Sequence, residues 1–200
     1  MLRKAFVLFL VCCFFSSMFT MQALADTYRG ELGARIAEFQ AKQEQVKTFT
    51  ELLDAYEDGT IELTEDELED IRAEMLVILD ETAQEIGRPE YQPYLQYIQK
   101  LSEKYLPEEY SLAISKIIGL SQMDGNIEER VSTMLVDLFI CLILFGLISV
   151  PVLLLSNLLL TIGTSIPFLG IPLEILGFLL QLLYIGLGAL QNICRIIIPF

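Results

Sequence analysis

The chain has no histidine and no tryptophan among its 200 residues, and only four cysteines. Without histidine there is no Ser-His-Asp or Cys-His nucleophile pair and no His-ligated zinc. Positive charge is scarce too: 13 Lys and Arg stand against 27 Asp and Glu, a net charge of −14. Phosphate backbones are gripped by Lys and Arg, so this balance excludes nucleic acid as a partner. No cysteine falls between residues 26 and 133, so no disulfide staples that stretch. Period-two alternation of apolar residues never persists, and glycine-rich phosphate loops are missing, so neither a sheet nor a nucleotide site is expected.

What is present is sharply segregated: 54% of residues are hydrophobic, yet 20% are charged. Residues 1–25 open with Arg3 and Lys4, continue with an apolar run from Ala5 to Phe19, and close on Ala23-Leu24-Ala25. That is the layout of a cleaved secretory signal with Asp26 as the mature N-terminus, although the same apolar length also suits an uncleaved anchor. Residues 26–133 hold 10 basic and 25 acidic residues, a net of −15. In residues 134–200 the charged side chains are Asp137, Glu174 and Arg195. The runs between them reach the ~20 residues a helix needs to cross ~30 Å of hydrocarbon. Two spans are expected, at about 134–160 and 172–194.

The acidic block reads as helices. Leu32, Ile36, Phe39, Val46, Phe49, Leu53 and Tyr56 recur at spacings of mostly three and four, one stripe of a helix over 28–57, with Gln43 as a polar member of that stripe. Gly59 suits a helix stop. Thr64 and Glu67 form a capping box that starts a second helix, with Leu68, Ile71, Met75, Leu79 and Ile86 inward and Gly87 and Pro89 at its end. A third helix runs from Pro93 to about Leu106, with Tyr94, Leu95, Ile98, Leu101 and Tyr105 inward, and a fourth covers 108–122. The expected fold is all-α: an antiparallel helical bundle followed by a C-terminal transmembrane helical hairpin.

Two sets of residues invite a functional reading. Asp54 to Glu65 resembles an EF-hand calcium loop, with Asp54, Asp58, Glu62 and Glu65 at loop positions 1, 5, 9 and 12 and Gly59 at position 6. That resemblance implies calcium as a ligand; it covers 12 residues, and Tyr56 stands where a ligand oxygen belongs at position 3. A helix stop followed by a capping box accounts for Asp58, Gly59, Thr64 and Glu67 without metal. No other cofactor is expected.

The second set is Glu174, Gly177, Gln181, Tyr184, Gly188 and Gln191, spaced by three and four, which share one stripe of the last apolar helix. Amide and carboxyl groups are costly against acyl chains, so the stripe faces protein or water. It packs within the hairpin, between copies of the chain, or around a pore. The function expected is a non-enzymatic structural or interaction subunit of a cell-envelope complex in a bacterial inner membrane. Its acidic domain is exported, and its partners are the bilayer and a protein or a second copy. A pore former and a calcium-responsive module are the alternatives.

Overall fold

The computed structural model describes the backbone of residues 2–123, 125–166 and 170–197, and the side chains of 26–108, 111–123, 125–132, 151–166 and 170–197. The side chains of the expected signal, and those of the expected first span as far as residue 150, Asp137 included, lie outside the described residues. Every regular element among the described residues is helical: α1 Leu2–Glu57, α2 Glu65–Ile86, α3 Gln92–Tyr105, α4 Glu108–Leu120, α5 Ile127–Ser165 and α6 Ile171–Ile197, with one 3-10 turn at Pro89–Tyr91.

Local chemistry explains most boundaries. α1 has no proline, and it ends where Gly59 turns left-handed at φ +69 and its N–H donates to the Tyr56 carbonyl. α2 starts on the capping box: Thr64 N–H donates to Glu67 Oε2 at 2.8 Å and Glu67 N–H to Thr64 Oγ1 at 3.3 Å. Pro89 and Pro107 fall in the connections that separate α2, α3 and α4. Asn126 caps α5, accepting the Glu128 N–H at 3.1 Å.

The packing centres on α6. α1 runs parallel to it, as paired residue numbers rise together from Arg29 and Glu174 to Glu57 and Arg195. α2 runs antiparallel, with Met75 beside Asn192, Thr82 beside Gly186, and Tyr91, just past its end, against Phe178. The described end of α5 is also antiparallel: Gly163 meets Glu174 and Leu160 meets Gly177. α4 closes another side through Ile117. In consequence 83% of the apolar stretch of α6 is buried, and Phe178, Leu179, Leu182, Ile185, Ala189 and Leu190 have no measurable exposure. A helix this rich in apolar residues must be enclosed by protein or by lipid; here α5, α2, α1 and α4 pack around it. By length and composition α6 is long enough to cross a membrane.

Amphipathic stripes supply the shell. Leu32, Phe39, Val46 and Leu53 are buried on α1 at intervals of seven. On α2, Ile71, Met75, Leu79 and Ile86 are buried as their spacing requires, joined by Ile78 and Ala83. α3 buries Leu95, Ile98 and Ser102, but Tyr105, expected inward, is 68% exposed. Tyr91, just before the helix, is wholly enclosed.

The α5–α6 connection is held by glycine. A Cβ on Gly170 would collide with the Gly163 carbonyl, and one on Gly163 would sit 2.6 Å from Glu174 Cγ. Gly170→Ala should therefore cost on the order of 1–3 kcal/mol from overpacking. Gly33, exposed on α1 with nothing within 4 Å of its Cβ position, is the contrast: Gly33→Ala should be neutral or stabilise by up to about 1 kcal/mol. Denaturant midpoints followed by circular dichroism measure both.

Candidate functional site: a polar ladder along the buried helix

Arg29, Gln43, Thr50 and Glu57 lie on α1 at multiples of seven residues, one step beside the buried stripe. Each meets a polar residue of α6. Arg29 Nη2 pairs with Glu174 Oε1 at 2.9 Å and donates to the carbonyls of Gly163 at 3.1 Å and Ile166 at 2.7 Å. One guanidinium thus meets the negative end of the α5 dipole and forms an ion pair with a carboxylate in the first turn of α6. Gln181 Nε2 donates to Gln43 Oε1 at 3.0 Å. Asn192, wholly buried, donates to Thr50 Oγ1 at 3.0 Å and to the Val46 carbonyl at 3.3 Å. Arg195 closes the ladder, its Nε 2.8 Å from Glu57 Oε1 and its Nη2 2.7 Å from Asp54 Oδ1.

The stripe expected from sequence divides between two neighbours. Glu174 and Gln181 are buried and turn to α1. Gly177 packs on α5, where Ser156 Oγ donates to its carbonyl at 2.8 Å and its Cβ position lies 3.0 Å from Leu160 N. Tyr184 is half-buried with Glu44 and Lys47 of α1 as its charged neighbours. Gly188 is buried and Gln191 half-buried. Arg29, Thr50 and Asn192 were not singled out from sequence; the seven-residue recurrence through Gln43, a member of the same stripe, is the signal that would have found the first two.

The EF-hand resemblance takes a different form in three dimensions. Asp54 is engaged by Arg195, Asp58 and Glu62 are exposed in the connection, and Glu65 sits in the first turn of α2. Among the described residues no three carboxylates or thiols come together as a metal-binding group. Gly59 and the Thr64 cap serve the turn itself.

A second charged cluster lies between α1 and α2, around a cavity of about 380 Å³ lined by Arg35, Lys42, Glu81, Glu85 and Arg88 among others. Glu85 is buried and accepts from Tyr91 Oη at 3.0 Å and Arg88 Nε at 2.7 Å, with Arg35 Nη1 at 3.5 Å. Burial pushes the Tyr91 phenol well above its usual range. Its proton therefore stays on oxygen at neutral pH and serves as a donor to Glu85. The cluster fastens the end of α2 to α1.

Comparison with known proteins finds no family model, no curated protein and no solved structure that matches this chain.

Two measurements probe the ladder. Gln181 Oε1 is buried without a partner, so the pair is half-satisfied. Gln43→Leu or Gln181→Leu alone should destabilise by about 1–3 kcal/mol, while the double variant should lie near wild type; a double-mutant cycle in denaturant reads the difference. The Glu57 carboxyl is held below its ordinary 4.5 chiefly by the hydrogen bond from Arg195. A folded-state value below the unfolded one gives stabilisation that is present above the ordinary value and fades as pH falls through it. Arg195→Met should flatten the loss of stability between about pH 6 and pH 3, measured as the denaturant midpoint against pH.

Proposed function

We propose that this chain is a non-enzymatic interaction protein attached to a lipid bilayer. It is an antiparallel helical bundle closed by an α5–α6 hairpin, with the outer face of α5 against acyl chains and the acidic helices turned to a protein partner. The observation that carries this reading is the surface of α5. Leu154, Leu155, Leu158, Ile162 and Ile166 are exposed on one side of it, Leu154 to 64% and Leu158 to 54%. Large apolar residues clustered on one helix face mark a partner or a membrane.

The polar residues on that face are compatible with lipid. Thr161 Oγ1 donates to the Asn157 carbonyl at 2.7 Å and Ser165 Oγ to the Thr161 carbonyl at 2.8 Å. These two hydroxyls are paired within their own helix and need no partner from outside it. α6 stays within the bundle, because its polar groups are committed to α1, and the ladder supports a role in holding the fold. The expected export of the acidic domain and its place in a bacterial envelope belong to this proposal and follow from Arg3, Lys4 and the Ala23-Leu24-Ala25 site. With −15 on residues 26–133, the fitting protein partner presents basic residues.

Single fluorophores test the placement. In a cysteine-replaced chain reconstituted in vesicles, a probe at Leu158→Cys should be quenched by brominated lipid and shielded from aqueous iodide, and a probe at Glu51→Cys should behave oppositely. Equal iodide quenching at both positions would rule the reading out.

A further inference from the structure

We propose that the outer face of α3 docks on the anionic headgroups of a bilayer. The argument starts from where the positive charge goes. Arg29, Arg35, Lys42, Lys47, Arg72, Arg88, Arg130 and Arg195 each have a carboxylate within ion-pair distance. In a chain of net charge −14 this is the expected fate of a cation. Lys100 and Lys104 differ: both are exposed, and among the described residues neither pairs with a carboxylate. Lys104 Nζ instead lies 5.0 Å from the centre of the Tyr105 ring.

Lys100 and Lys104 are one turn apart, and Tyr97 lies one turn before Lys100, so the three share a face. Tyr97 is 54% exposed and Tyr105, at the flank, 68%, with Leu106 exposed just beyond. Tyrosine rings, lysine stems and a leucine are the side chains that settle at a membrane–water boundary, rings and stems among the headgroups and ammonium groups at the phosphates. The convex side of a single helix matches a flat, repeating anionic surface. The acidic flanks of the molecule are repelled by that surface, so the two unpaired lysines set which side approaches it. The inference rests on the membrane attachment proposed above and adds its headgroup chemistry and a second contact.

Lysine acylation tests it on the full chain, mixed with vesicles of phosphatidylcholine alone or of phosphatidylcholine with phosphatidylglycerol. On anionic vesicles the acylation of Lys100 and Lys104, read by mass spectrometry, should slow about fivefold at each. It should recover at about 1 M salt, and exposed Lys47 should be unaffected. Tyr97→Ser with Tyr105→Ser should reduce the protection at unchanged helicity. Equal acylation on both vesicles overturns the inference. So does protection seen in native membranes but not on anionic vesicles, which assigns the face to an acidic protein. Flotation separates the two proposals: a chain that floats on both vesicles with both lysines reactive overturns this one alone. One that floats on anionic vesicles only, with both lysines protected, keeps it and overturns lipid contact by α5. One that floats on neither overturns both.

Discussion

A helix of 27 residues that is apolar on every side has to be surrounded, and the few polar atoms it carries have to be paired inside that surround. The surround is built by α5, α2 and α1 together, and the polar pairing is supplied mainly by α1. Its buried stripe of Leu32, Phe39, Val46 and Leu53 covers one side of α6, and the adjacent row of Arg29, Gln43, Thr50 and Glu57 meets the polar groups of α6 one by one. Apolar contact is indifferent to register, because a one-turn slip replaces one leucine by another. Polar pairs are not, because a slip leaves a buried charge or amide without a partner. The ladder therefore fixes how far α6 is inserted among the other helices.

The two ends of the ladder are ionic and its middle is neutral. Arg29 and Glu174 meet at the α5–α6 connection, where the glycine-lined approach of the two backbones leaves carbonyls that need a donor. Arg195 meets Asp54 and Glu57 where α1 ends and water is near. Of the two ionic ends, the one formed by Arg195 with Asp54 and Glu57 is part-exposed and the other holds the buried carboxylate of Glu174, while amides and a hydroxyl occupy the dry centre. Buried Glu85, between α1 and α2, is likewise surrounded by compensating groups, two guanidiniums and a phenol. In these three places the negative excess of the chain is used to neutralise arginines that fasten one helix to another.

Enclosure of α6 shifts the question of what meets lipid to the surface. α5 shows leucines and isoleucines outward, with hydroxyls bonded to their own helix, and α3 shows tyrosines with lysines that lack carboxylate partners. These surfaces differ in kind, one suited to acyl chains and the other to headgroups. Under the proposed attachment, they would be two contacts with a membrane that the net charge of the chain would otherwise keep at a distance.

The sequence by itself settles the local structure. Spacing of apolar residues, the Thr64–Glu67 box, Gly59, Pro89 and Pro107 mark where helices start, stop and turn their buried sides, because each acts within a few residues of the chain. It also identifies the stripe from Glu174 to Gln191 as facing something other than lipid, and Gln43 as a break in a dry seam. What the partner of that stripe is, only the tertiary structure decides. An apolar helix satisfies the same composition whether lipid or amphipathic helices surround it, so the sequence marks α6 as long and apolar enough to cross a membrane, and the structure adds which helices pack against it. Tyr105 lies exposed, against expectation, for the same reason: a helical period says which residues share a face, whereas burial depends on which other helix arrives there.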